Sequence, residues 1–211
     1  YRGARHPRRN MVRHYLFSAQ SFANCTRLGA APRRVDTKAN PMADIQPRMP
    51  GSESLINAHL VLVEPLIPGN TGSLARLCAG THMMLHLVEP MGFSMDHRQV
   101  KRAGLDYWPG VFWQKHASLE ACLDGVPRER VFLFSAKGEQ RYSDVDYRPQ
   151  PWLIFGKETT GFSEEIRGDY EDRLFRVPIS DEIRSLNLAN VASVVAYEAL
   201  RQLDFAGIES E

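Results

Sequence analysis

The sequence predicts an α/β fold, a parallel sheet with helices on both faces, on three observations. Apolar runs of strand length recur along the chain, segments at helical spacing alternate with them, and turns bearing glycine, asparagine or proline stand where the runs end. In such sheets ligands sit beyond the carboxyl ends of the strands, so those turns are where function is expected.

The first strand is His59-Leu-Val-Leu-Val63, closed by Glu64-Pro65. Pro68-Gly69-Asn70-Thr71-Gly72 is a dense turn signal, and Ser73 to Ala79 follows at helical spacing with Leu74 and Leu77 apolar. Leu85 to Val88 repeats the strand and again ends in Glu-Pro, at Glu89-Pro90, because proline cannot donate to the ladder. Asp96 can cap a short helix carrying His97, Arg98, Lys101 and Arg102 before Gly104, a basic face suited to phosphate. A strand near Val111 to Trp113, a helix from about Ser118 to Leu123 and a strand at Val131 to Ser135 come next, before the turn at Lys137-Gly138. Trp152 to Phe155 is a further strand and opens into Gly156-Lys157-Glu158-Thr159-Thr160-Gly161. A short helix around Ser163 to Ile166 and a strand at Phe175 to Val177 lead to Ser185-Leu186-Asn187-Leu188-Ala189-Asn190, whose hydroxyl and amides suit the entrance of the last helix. That helix runs to Leu203 and carries apolar residues at 188, 191, 192, 194, 195, 199, 200 and 203. The stripe is wider than one buried face, which predicts a homodimer through this helix.

At 211 residues and 43% hydrophobic, the chain is expected to hold one domain, residues 58–211. Residues 1–57 show no sustained period and are expected to be a disordered basic extension or a transit-like segment, or translated sequence upstream of Met11 or Met42. Opening on Tyr1, the chain is expected to be a fragment or a processed product. Eight of its 26 basic side chains, all arginine, lie within residues 1–35 beside no acid, leaving 18 against 25 acids in the remainder. A body of net charge −7 on that count argues against unspecific, charge-driven nucleic-acid binding and leaves polyanions to local basic patches. No apolar run approaches the roughly 20 residues that span a bilayer. Cys25, Cys78 and Cys122 are odd in number and widely spaced, which disfavours a disulfide scaffold or zinc ribbon and favours a reducing compartment, the cytoplasm, or an organelle if the amino end is a transit peptide.

No Gly-x-Gly-x-x-Gly follows the first strand and no Gly-x-x-x-x-Gly-Lys-Ser/Thr occurs, so dinucleotide-binding and P-loop folds lose their phosphate cradle. A Gly-x-Ser-x-Gly elbow is missing too. His82 and His86 have the spacing of a helical zinc pair, but the intervening glutamate is absent and the segment reads as strand, so no metal is expected. What remains is three polar turns at strand ends, with backbone groups and glycine to admit a ligand closely and no charged side chain needed.

Asn70-Thr-Gly-Ser-Leu-Ala-Arg76, Phe155-Gly-Lys-Glu-Thr-Thr-Gly161 and Ser185-Leu-Asn-Leu-Ala-Asn190 resemble the three ordered motifs of the SPOUT RNA methyltransferases. Glu64-Pro65, Arg76 to Ala79, Arg102 to Tyr107 and Tyr197 to Ala199 are similar to the group within that class that methylates the 2′-hydroxyl of a cytidine or uridine at the tRNA wobble position. The likeness runs from about Leu60 to Leu203, with Ser73, Lys157 and Thr160 standing where the group has asparagine, proline and arginine. The resemblance implies an α/β domain with a carboxyl-terminal trefoil knot, S-adenosylmethionine as methyl donor and the tRNA anticodon loop as partner. It implies donor contacts at Phe134, Gly156, Gly161, Val177, Ser185 and Asn190, and catalytic roles for Arg76, Asn70 and Glu158. Arg76 would clamp the target hydroxyl or its phosphate, because a guanidinium is always protonated and makes a poor base. Asn70 would support Arg76, while Glu158 and Asn190 would fix the loops; His97, Arg98, Lys101 and Arg102 would meet RNA phosphates. The alternative is a catalytically idle RNA-binding relative.

Overall fold

A computed structural model describes residues 47–51, 56–95 and 108–208. Seven strands form one sheet in the order β3-β2-β1-β6-β4-β7-β5. They are β1 (His59–Val63), β2 (Met84–Val88), β3 (Trp113–His116), β4 (Val131–Phe134), β5 (Gln140–Arg141), β6 (Trp152–Phe155) and β7 (Leu174–Arg176). Every pairing between them is parallel. The helices are α1 (Pro68–Thr81), α2 (Leu119–Leu123), α3 (Glu164–Asp169) and α4 (Leu188–Gln202).

Side chains alternate across the pleat, and both sets are apolar, which is why the strands read as continuous runs. Leu60, Leu62, Leu85, Leu87, Phe132, Phe134, Leu153 and Phe155 pack on one face with α1 and α4. Val61, Val63, Val88, Val131, Leu133 and Ile154 pack on the other with Leu119, Cys122 and Leu123 of α2 and with Ile166 of α3. Each large apolar side chain so buried contributes about 1.5–3 kcal/mol. After β1 and β2 the ladder gains one more rung, Glu64 N–H to Val88 O at 3.0 Å and Glu89 N–H to His116 O at 2.9 Å, and the following proline ends it.

Several boundaries differ from the sequence reading, and the largest differences have a physical reason. The segment Pro68 to Gly72 is helical, the first turn of α1, rather than a loop. Proline suits the first helical position, where its missing N–H costs nothing, and Asn70 and Thr71 are buried with the helix. The strand expected at 111–113 starts at Trp113; its residues Gln114 and Lys115 are polar because β3 is a sheet edge and faces solvent. The last strand is Leu174–Arg176, and β5, two exposed residues at the opposite edge, gives no apolar signal at all. Pairing with the domain also reaches further back than residue 58. Asn57 N–H donates to His82 O (3.1 Å), and Arg48 exchanges backbone bonds with Trp113 (3.2 and 3.0 Å) while its guanidinium lies 4.7 Å from the Phe112 ring centroid. The helix expected after Asp96 lies outside the described residues.

Helix α4 is held at both ends. Asn187 caps its start, accepting from Ala189 N–H at 2.9 Å and Asn190 N–H at 3.3 Å. At its end Gln202 accepts from Tyr147 N–H (3.0 Å) and donates to Val145 O (2.9 Å), fixing the buried Tyr147 loop against the sheet. No helix among the described residues is long and apolar enough to cross a membrane.

Candidate active site

Beyond the carboxyl ends of β4, β6 and β7 lies a cleft of about 290 Å³, walled by residues 134–137, 155–161 and parts of 177–191. Its apolar side includes the stacked rings of Phe134 and Phe155, with centroids 5.1 Å apart. Gly156 lets its turn fold tightly on itself: a Cβ there would lie 2.6 Å from the Gly161 carbonyl carbon. The same turn is closed by reciprocal bonds, Lys157 N–H to Gly161 O at 3.2 Å and Gly161 N–H to Lys157 O at 2.9 Å. Gly161 has φ +67°, the left-handed region that glycine enters without strain.

Three turns distant in sequence are joined behind this cleft by side chains. The Glu158 carboxylate accepts from Leu66 N–H (2.8 Å), Ile67 N–H (3.1 Å) and the Asn70 amide (3.1 Å). It thereby supplies negative charge to the start of α1, whose own first turn contains no acid. Asn70 in turn accepts from the Asn187 amide at 3.0 Å. Asn70 uses both ends of its amide, so the β1–α1 turn, the β6 turn and the entrance of α4 form one hydrogen-bonded unit.

The cleft is more charged than backbone-lined turns require. Lys137, Lys157, Arg167 and Arg184 border it. Arg167 is oriented by donating to Phe162 O at 2.9 Å, and Lys157 Nζ lies 2.5 Å from the Glu64 carboxylate in an adjoining cleft of about 350 Å³. This basic rim suits an anionic carboxylate or phosphate. The sequence reading missed Lys137, Arg167 and Arg184; Lys157 alone carried a signal, as a departure from the motif it sits in.

Of the residues expected in the site, Phe134, Gly156, Glu158, Gly161, Val177 and Ser185 line the cleft. Asn70 reaches it through Glu158. Asn190 is exposed and outside the wall; the amide that fixes the loop belongs to Asn187, because the capping position comes one residue before α4 whereas Asn190 is already within its first turn. Arg76 is exposed on α1 and is not part of the wall. His97, Arg98, Lys101 and Arg102 lie outside the described residues.

The three turns that resemble the SPOUT motifs meet at one cleft on the carboxyl edge of an all-parallel sheet, as expected of a SPOUT-class methyltransferase. Residues 57–197 match the SpoU rRNA Methylase family, and the chain belongs to that family. The tRNA (cytidine(34)-2'-O)-methyltransferase of Methylovorus glucosotrophus is 46% identical over 149 residues, which are 70% of this chain and 97% of that protein. A solved structure bearing on the 2-OH methylation of C/U34 on tRNA is 44% identical with a TM-score of 0.65, covering 70% of this chain and 96% of that one. The SpoU methyltransferase AviRb of Streptomyces viridochromogenes, solved with AdoMet, is 24% identical with a TM-score of 0.61, covering 78% of this chain and 63% of that one; at that identity the likeness is one of fold.

Proposed function

We propose that this protein transfers a methyl group from S-adenosylmethionine to the ribose 2′-hydroxyl of the wobble nucleotide, cytidine or uridine, in a tRNA anticodon loop. The observation that carries the reading is the unit formed by Glu158, Asn70 and Asn187, which ties the three motif turns around one cleft. The relatives named for cytidine(34) and for C/U34 supply the substrate.

The cleft fits the donor. Its volume is near the low end of small-ligand sites, Phe134 and Phe155 give it an apolar side, and the basic rim suits a carboxylate. Backbone groups of 156–161 and of 177–185 would hold the adenosine portion, with Phe134 packed beneath, and Lys157 or Arg167 would meet the carboxylate. Bound there, S-adenosylmethionine supplies a sulfonium methyl that a ribose hydroxyl displaces in line. Alignment then provides much of the rate. Arg76 acts as a clamp on the target hydroxyl or its phosphate, and Glu158 and Asn70 are positioning residues that hold the start of its helix.

The enzyme works as a homodimer through α4, whose Val194 and Tyr197 are about half exposed while the opposite side of the helix is buried. The carboxyl end is threaded as a trefoil knot, a reading supported by β7 lying between β4 and β5 and by the tie of Gln202 to residues 145–147. His97, Arg98, Lys101 and Arg102 bind RNA phosphates, on the strength of their basic pattern in the sequence. The test is incubation with tRNA and S-adenosylmethionine, followed by mass mapping of nuclease fragments. A methyl group on the wobble ribose is expected; tight donor binding without ribose methylation would replace the reading with an idle RNA-binding relative.

A further inference from the structure

The face of the sheet that carries α2 holds a run of three imidazoles, remote in sequence and adjacent in space. His59 opens β1, His86 is the middle residue of β2, and His116 ends β3. Nδ1 of His59 lies 2.9 Å from Nε2 of His86, and Nδ1 of His86 lies 2.9 Å from Nε2 of His116. Trp152 stacks on His59 with centroids 4.1 Å apart and leans on His86 at 4.6 Å. Cys122 of α2, buried, reaches the same place. One nitrogen each of His86 and His116 and the Cys122 sulfur all lie within 4.8 Å of one another.

A ladder of mutually hydrogen-bonded imidazoles accounts for the ring nitrogens. It does not account for the sulfur, nor for placing three polar rings on a face otherwise filled by Val61, Val63, Val88, Leu133 and Ile154. We propose that His86, His116 and Cys122 form a binding site for one zinc-class transition-metal ion, with His59 as the outer hydrogen-bond acceptor. Two imidazoles and a thiolate are a zinc donor set, and three protein ligands leave a fourth position for water on the side of the half-buried His116. Zinc bonds of about 2.0–2.3 Å put tetrahedral ligand atoms roughly 3.3–3.8 Å apart, so the His86–His116 contact opens by a few tenths of an ångström to admit the ion.

The protons balance. Each neutral ring keeps one: His86 holds it on Nε2 and donates it to Nδ1 of His59, and His116 holds it on Nδ1. The Cys122 thiol proton passes to solvent. A ligating histidine whose other N–H is held by an acceptor is the usual outer arrangement of such sites, and Trp152 fixes that acceptor's plane. The ion would fasten β3, paired on one side only within its sheet, to β2 and α2. None of this depends on the methyl-transfer reading.

The full chain, stripped of metal, is titrated with Co²⁺ as probe and then with Zn²⁺ in competition. One equivalent of Co²⁺ is expected to give the intense visible bands of four-coordinate cobalt together with a near-ultraviolet sulfur-to-cobalt band, and one equivalent of Zn²⁺ to erase both. Cys122→Ser should remove the sulfur band, and His59→Phe should weaken binding about tenfold to a hundredfold. Far-ultraviolet circular dichroism verifies that each variant is folded. Only the faint bands of hydrated cobalt with the unaltered chain would overturn the proposal. So would a spectrum that Cys122→Ser leaves unchanged, since the ion would then sit elsewhere, for example at His6, His14 or Cys25.

Discussion

Glu158 shows how one side chain can tie distant turns together. Its carboxylate satisfies two backbone N–H groups at the entrance of α1 and one side-chain amide, across more than 85 residues of sequence. Removing it leaves partly buried donors without that acceptor, the costly direction of hydrogen-bond loss. Glu158→Ala should therefore lower stability by about 2 kcal/mol in urea unfolding and weaken donor binding in calorimetry, because Asn70 and the turn shift together. Unchanged stability and affinity would show the network to be incidental. Arg76 makes the opposite prediction. It stands outside the cleft wall on the exposed side of α1, so Arg76→Ala should leave donor affinity intact while methylation falls by about tenfold or more. Turnover at the parent rate would remove Arg76 from the mechanism.

Among the elements, the strands with a neighbour on each side were the ones legible in the sequence, to the residue or within one of it. β1 and β6 coincide with their apolar runs to the residue, since both faces of each strand are covered. Edge elements were hidden for the complementary reason: Gln114, Lys115, Gln140 and Arg141 need no apolar character where only one neighbour pairs. The start of α1 was misread because Pro68, Gly69 and Asn70 have turn chemistry, and only the distant Glu158 and Asn187 make a helix entrance of them. Helix α4 displays a stripe broader than its core contact. Ala192, Val195, Ala196, Ala199 and Leu200 are buried, whereas Val194 and Tyr197 are 43% and 52% exposed. If that outer strip meets a second copy, Val194→Asp with Tyr197→Asp should convert a dimer to monomer in sedimentation equilibrium at micromolar concentration, with little loss of helix. A parent protein already monomeric under those conditions would refute the interface.

At the scale of the whole molecule, strand order decides what sequence can and cannot reveal. The three motif turns could be named from local residues, but their union through Asn70, and the meeting of His59, His86, His116 and Cys122, follow only from a parallel sheet that sets β1 between β2 and β6. The same topology moves the edge of the folded unit. Trp113 is buried, and its backbone N–H and C=O are both taken by Arg48. His82 O and Thr81 O both accept from Asn57, through its backbone N–H and side-chain amide respectively. A chain beginning at Pro47 keeps all of these partners and loses none of the family match, which begins at residue 57. It should unfold at the same urea concentration as the parent and bind S-adenosylmethionine equally well. A chain beginning at Ala58 leaves four backbone groups without those bonds, three of them on the buried Trp113 and Thr81, and it should be about 2 kcal/mol less stable even though every strand and helix among the described residues is retained. Losing eight arginines with the amino end should also flatten the salt dependence of tRNA binding in the Pro47 chain while leaving methylation of a saturating tRNA unchanged. If instead the Pro47 chain binds no donor, the basic extension is part of the enzyme rather than an appendage to it.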